Sequence, residues 1–333
     1  MADNIAILGA GSWGSALALL LARNGHPTRL WGHDPEHIAL LKQRAENPRH
    51  LPGIDFPRLL TAWSDLKDAV EQAEAILVAV PSHAFGATLK RLQAHLPPGI
   101  GLAWATKGLE HGSGRFLHEV TREIVGAKRS LAMVSGPSFA REVAVGLPTA
   151  ITVAATHLDF ADYWVGLLHG PTMRAYSSDD VVGVELGGAI KNVLAIAAGI
   201  ADGLGFGANA RAALITRGLA EMVRLGEAVG GRRDTFMGLT GVGDLLLTCT
   251  DDQSRNRRFG LAIGRGQSAD EARAAIGQVV EGAVTAQEIM RLAHQHGIEM
   301  PITEQVDRVL HSGLEPRRAV EALLTREPKR ENE

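Results

Sequence analysis

A single cysteine, Cys249, occurs in 333 residues. No internal disulfide is therefore possible, and the flanking "LLLTCT" reads as a packed thiol instead of a nucleophile. Aromatic residues are sparse, at 5%, and none interleave with the basic cluster at 254–258 as they would on a base-stacking surface. Neither charge sign dominates: the net charge of −3 gives no general attraction to nucleic acid or to an anionic membrane. The opening "MADNIAILGAG" has neither a basic n-region nor a cleavable apolar segment. The apolar run nearest to it, residues 16–22, is far too short to span a bilayer. The expectation is a cytoplasmic chain without nucleic-acid partners, membrane insertion or a metal site.

What the chain does have is alternation. Apolar runs at 4–9, 27–34, 73–80, 100–106, 131–136 and 149–155 predict strands. Stretches at 14–24, 35–46, 83–95 and 113–126 fill the gaps as helices. This spacing predicts a parallel sheet with helical crossovers, its strands covered on both faces. Past residue 185 helical stretches take over, at 183–202, 208–229, 268–276, 281–296, 301–311 and 316–324. The predicted class is α/β: a Rossmann-like dinucleotide-binding domain (1–185), a C-terminal all-α substrate domain (186–325) and a flexible tail (326–333).

"AILGAGSWGSALA" places Gly9, Gly11 and Gly14 between the first strand and the first helix. The first glycine permits the tight turn, the second lets backbone approach a pyrophosphate, and the third lets helix pack on strand. Asp34 ends the second strand twenty residues past Gly14, where a carboxylate takes a ribose 2′-hydroxyl and favours NAD. His33 and Arg29 stand near in sequence and would tolerate a 2′-phosphate, so both cofactors are expected to be accepted. An ordinary loop histidine at 33 explains the sequence equally well.

Ligands of open parallel sheets sit beyond the carboxyl ends of the strands. Lys107 follows one strand there; Gly136, Pro137 and Ser138 follow the next, with backbone N–H groups and a hydroxyl suited to a small polar ligand. Ser254, Arg255 and Asn256 open a run with two further arginines, suited to gripping a phosphate. Asp244 reads as a helix N-cap or as a substrate contact. In "ELGGAIKNVLAIAAG" (185–199), Lys191 has Gly187, Gly188, Leu194 and Ala195 as helical neighbours, none of them acidic. The helix alone fits either a snorkelling stem or an unpaired, desolvated amine.

"GAGSWGSALA", "VPSHAFG", "WATKGLE", "SGPSFARE", "GGAIKNVLAIAAG", "GLTGVGDLLLTCT", "SRNRRFG" and "GQVVEG" occur in that order. Together they closely resemble the bacterial-type NAD(P)-dependent sn-glycerol-3-phosphate dehydrogenases over residues 4–325. The resemblance implies reversible hydride transfer between NAD(P)H and dihydroxyacetone phosphate, giving sn-glycerol 3-phosphate for phospholipid synthesis. It implies Lys191 as general acid/base and a homodimer. Ser12, Trp13, His33, Lys107, Ala140, Arg255, Val279 and Glu281 match cofactor positions. Lys107, Gly136, Ser138, Lys191, Asp244, Ser254, Arg255 and Asn256 match substrate positions. The 3-hydroxyacid dehydrogenases also join a dinucleotide domain to helices bearing a lysine. They favour asparagine four residues after it, where this chain has Ala195.

Overall fold

The computed structural model describes residues 2–327 and residue 330; most of the predicted tail lies outside them. Strand β1 (Ile5–Leu8) is buried throughout and leads through the glycine turn into α1 (Ser12–Arg23). Then come β2 (Thr28–Trp31) and α2 (Pro35–Arg44), with Asp34 capping α2 by accepting from the Glu36 and His37 amides. A small hairpin, β3 (Glu46–Asn47) with β4 (Leu51–Asp55), precedes β5 (Leu60–Trp63) and α3 (Leu66–Val70). The chain continues through β6 (Ala75–Val78), α4 (Ser82–Gln93), β7 (Leu102–Trp104), α5 (Leu117–Val125) and β8 (Leu131–Ser135). It then forms α6 (Ala140–Val145), β9 (Thr149–Ala155), α7 (Leu158–Leu168) and β10 (Met173–Ser178).

The eight-stranded sheet has the order β10-β9-β8-β7-β6-β1-β2-β5. From β5 to β8 every pairing is parallel, as predicted. The next is not: β9 runs antiparallel to β8, and β10 runs parallel to β9. The connection explains the reversal. The six-residue α6 spans only about 9 Å at 1.5 Å per residue, too short to carry the chain back along β8, so β9 returns directly. The edge strands β5 and β10 escaped prediction because only one of their faces is buried, leaving short alternating runs instead of apolar blocks. Connections leave β1 towards β2 on one side, and β6 lies on the other. Their carboxyl ends thus border a crevice at the topological switch point.

Helix α8 (Val181–Gly203) opens the helical part, capped by Asp180. It is long and apolar enough to cross a membrane, yet 94% of its most apolar window is buried in the protein, so it is a core helix. Around it pack α9 (Ala208–Ala228), α10 (Arg233–Phe236), a π turn (Leu239–Gly243), α11 (Asp244–Thr250) and α12 (Arg255–Gly264). The set is completed by α13 (Ala269–Ile276), α14 (Glu281–Gln295), α15 (Pro301–His311) and α16 (Pro316–Leu324). The basic run at 254–258 starts a full helix, with Ser254 as its cap.

Glycines bring α8 and α12 into backbone contact. A Cβ on Gly199 would lie 2.1 Å from the Arg257 carbonyl oxygen, and one on Gly203 2.5 Å from that of Leu261. In return, a Cβ on Gly260 would meet the Ile196 oxygen at 2.1 Å, and one on Gly264 the Ile200 oxygen at 2.4 Å. Gly260→Ala should therefore destabilise by about 1–3 kcal/mol through overpacking. Gly166→Ala, in α7 with open space around it, should stabilise by about 0.5–1 kcal/mol because only the helix-propensity term changes. Denaturant midpoints of the two variants should move in opposite directions. Equal shifts would mean that the helices do not need this close approach.

Candidate active site

A cavity of about 730 Å³ runs along the carboxyl ends of β1, β2, β6 and β7 to the start of α12. At one end lies the glycine turn. Gly9 has φ +128°, and a Cβ there would be 2.7 Å from the Ala79 oxygen; one on Gly14 would be 1.9 Å from the Gly9 oxygen. Gly14 thus packs helix on strand and stays out of the cavity wall, whereas a Cβ on Gly11 would meet nothing within 4 Å. That open backbone beside the start of α1 is a cradle for a pyrophosphate. Ser12 and Trp13 line the same end, and the buried Trp13 indole N–H has no hydrogen-bond partner among the described residues. Ala140, Val279 and Glu281 border the cavity further along. Its size and wall fit a dinucleotide.

His33 and Asp34 stand in the wall as predicted. Arg29 does not: it donates to the Asp68 carbonyl at 2.7 Å and to Gln72 at 2.8 Å, and stacks on Trp63. Alternation along β2 turns it to the far side of the sheet. Sequence reasoning missed Arg49 and His50, which enter from the turn between β3 and β4. Arg49 pairs with Asp34 at 3.3 Å. Burial brings the proton affinity of the His50 ring down to a pKa of about 4, with electrostatic contributions in the same direction from His37, Arg49 and Arg255.

In the middle of the cavity Lys191 is almost fully buried, with 7% of its side chain exposed. The expectation of an unpaired lysine is wrong. Its ammonium pairs with Asp244, 53 residues later in the chain, and the second Asp244 oxygen accepts from Lys107 at 3.0 Å. Asp244 is not the N-cap of α11 but its first residue, and its side chain also accepts from Thr248 at 3.3 Å. Gly187 and Gly188 do not face the cavity. A Cβ on Gly187 would lie 2.5 Å from the Thr240 oxygen, and one on Gly188 3.1 Å from Ser135 Oγ, so they seat α8 on the π turn and on β8. Gly136 also stays behind the wall: its carbonyl accepts from Lys107 at 3.3 Å and from Ser138 Oγ at 3.0 Å. Ser138 itself lines the cavity.

The start of α12 forms the other end. Ser254 caps it by accepting from the Arg257 amide at 3.2 Å. Arg255 lines the cavity and donates to Gln278 at 3.1 Å. Asn256 donates to the Asn192 oxygen at 2.9 Å and accepts from the Gly282 amide at 3.0 Å, which ties α8, α12 and α14 together. The arginines divide by role. Arg257 turns inward to Asp202 at 2.6 Å, to Asp252 and to the Cys249 carbonyl, bracing the turn that carries Ser254 and Arg255. Glu281 accepts from Ser82 at 2.7 Å and joins the sheet side of the cavity to the helical side. Cys249 is buried, which pushes its thiol up to a pKa of about 12, as the packed-thiol reading requires.

Models of the N- and C-terminal regions of NAD-dependent glycerol-3-phosphate dehydrogenase match residues 4–161 and 180–321. The glycerol-3-phosphate dehydrogenase [NAD(P)+] of Stenotrophomonas maltophilia is 59% identical over 330 residues, spanning 99% of this chain and 97% of its own length. That of Aeromonas hydrophila is 58% identical over 334 residues, with 99% of this chain and 100% of the relative covered. The chain belongs to this dehydrogenase family. A crystal structure of the glycerol-3-phosphate dehydrogenase from Coxiella burnetii superimposes with a TM-score of 0.95 at 50% identity, covering 98% of this chain and 99% of that one. Like its relatives in this family, the chain is an oxidoreductase that uses NAD or NADP. The Rossmann-like expectation and the reading against a 3-hydroxyacid dehydrogenase are both upheld.

Within a glycerol-3-phosphate dehydrogenase the two lysines have a clear electrostatic logic. Burial lowers the Lys191 pKa; Asp244 opposes this, and the positive charge of Lys107 adds to it, leaving a value of about 7. A group that takes part as an acid must be protonated. If Lys191 is that acid, kcat/KM for ketone reduction should fall as pH rises through about 7, and that for alcohol oxidation should rise. Asp244→Asn removes the anion that holds the proton on Lys191, so the inflection should move to lower pH. The substrate phosphate titrates near pH 6 in both proteins, which makes the displacement between the two profiles the informative quantity. Superimposable profiles would separate Asp244 from the ionisation that controls turnover.

Proposed function

We propose that the chain catalyses reversible hydride transfer between NAD(P)H and dihydroxyacetone phosphate, with Lys191 as general acid in reduction and general base in oxidation. The product, sn-glycerol 3-phosphate, would feed glycerophospholipid synthesis. The observation that carries the proposal is the buried Lys191–Asp244–Lys107 cluster, set in the cavity between the glycine turn and the arginine-bearing start of α12.

A bound nicotinamide would supply or accept the hydride. The rest is work for the chain's own groups. As the ketone carbon gains hydride, the carbonyl electron pair moves onto oxygen, and Lys191 Nζ gives that oxygen a proton. Lys107, held by the Gly136 carbonyl and Asp244, keeps positive charge beside the developing alkoxide. Asp244 orients both ammonium groups. Arg255, with Ser254 and Asn256 at the first turn of α12, would grip the substrate phosphate through charge-assisted bonds. Ser12, Trp13, His33, Ala140, Val279 and Glu281 would border the nucleotide.

Lys191→Ala should lower kcat by about 10²-fold or more, the usual contribution of one positioned acid, while nucleotide binding by fluorescence titration persists. Near-normal turnover would refute the assignment.

Arg255→Ala should cost about 1.5–3 kcal/mol with dihydroxyacetone phosphate, the scale of a hydrogen bond to a charged group. Preference over dihydroxyacetone should shrink by the same factor. A mutant that still prefers the phosphorylated ketone as strongly as wild type would place the phosphate elsewhere.

A further inference from the structure

We propose that Arg49 decides between the two nicotinamide cofactors: it serves as the 2′-phosphate-binding residue and, by pairing with Asp34, sets how far that carboxylate disfavours NADP. The inference rests on the cavity being the dinucleotide site.

Asp34 follows β2, where the sequence pattern expects a ribose-binding carboxylate. Its Oδ1 is committed to capping α2, accepting from the Glu36 and His37 amides at 3.0 and 3.2 Å. Only Oδ2 remains to discriminate, and it is the atom that Arg49 Nη1 meets at 3.3 Å. Both side chains are open to solvent, at 56% for Arg49 and 37% for Asp34. An exposed pair of this kind is worth little, so the guanidinium can leave Asp34 for a better anion at small cost. A phosphate is such an anion, because the planar fork can bind two of its oxygens.

The other basic groups at this end are less suited. Burial lowers the His50 pKa to about 4, so its ring is neutral near pH 7 and brings no charge. His37 is buried, its Nε2 hydrogen-bonded to the Asn47 oxygen at 3.1 Å. His33 lines the cavity and is exposed, and its ring lacks the planar two-pronged fork of a guanidinium. Among the described residues, Arg49 is the cation in ion-pair contact with Asp34.

The backbone that carries Arg49 is built for this place. Asn47, 0% exposed, donates to the Ala10 carbonyl at 3.0 Å and to Ser15 Oγ at 2.8 Å, both at the glycine turn. Its own oxygen accepts from the His50 amide at 3.2 Å, and Ser12 Oγ donates to the His50 carbonyl at 3.3 Å. Residues 48–50 are thereby fixed to the turn that would hold the pyrophosphate, while the arginine side chain stays free to swing. The sheet itself does not need this hairpin, whose two strands pair only with each other.

The test is calorimetric titration of wild type, Arg49→Ala, Arg49→Lys and His33→Ala with NAD+, NADP+ and 2′,5′-ADP, alongside kcat/KM for NADH and NADPH. Arg49→Ala should weaken NADP+ and 2′,5′-ADP by about 10-fold or more, the lower end for a charge-assisted bond. NAD+ affinity should hold or improve, because Asp34 is released to the ribose hydroxyl. Arg49→Lys should recover part of the loss. Three results would overturn the inference: an unchanged NADP+/NAD+ ratio in Arg49→Ala, an equal loss of both nucleotides, or a loss found in His33→Ala instead. If wild type bound neither nucleotide, the reading of the cavity itself would fall with it.

Discussion

The backbone of α12 lies directly on that of α8, with no side chain between them, because Gly199 and Gly203 face Gly260 and Gly264. This contact sets the position of almost everything at the α12 end of the cavity. It holds the first turn of α12 near the middle of α8, where Lys191 projects, and so fixes the span from the amine to Arg255. Asn256 bonding to Asn192 and to the Gly282 amide can form only at that separation. Arg257, anchored to Asp202 on the last turn of α8, keeps the preceding turn from sliding. Dispersion and backbone shape do the holding; the polar bonds select a register within it.

The buried charge cluster adds a second constraint. Two ammonium groups share one carboxylate, and all three side chains are largely removed from water. Such an arrangement is incomplete by one negative charge, and desolvation makes the imbalance costly. An anion entering the cavity relieves it. Burial, with the charge of Lys107 added to it, also holds the Lys191 pKa near neutrality, so the desolvation that makes the imbalance costly loosens the proton on the amine as well.

How much of this could be read in the sequence depended on how local each signal was. The central strands β1, β6 and β8 were legible because burial on both faces makes them apolar blocks, and the glycine turn because its spacing follows β1 directly. The strand β9 was legible too, but its antiparallel direction was not, since that depends on the length of α6 and not on its own residues. Lys191 stood out by its apolar neighbours, yet Asp244, the carboxylate that controls it, lies 53 residues away and is joined only by the fold. Asp34 was found through its position after β2; Arg49 sits in "ENPRHLP", a stretch with no periodicity, and reaches Asp34 only because Asn47 folds the hairpin back. Gly187 and Gly188 were visible beside Lys191, but a missing side chain does not say which surface it admits.

Helix α8 also has a history during synthesis. It leaves the ribosome as a segment apolar enough for a bilayer, whereas α12 follows roughly fifty residues later, several seconds at about 5–20 residues per second. Through that interval its glycine-notched face has no partner, although the strands of the sheet have already emerged and can pair. A chain cut short before residue 255 would contain the complete nucleotide sheet and still expose this helix, and aggregation would follow from the apolar surface and not from any fault in the sheet. The helix that carries Lys191 is thus the segment most in need of protection while the protein is being made.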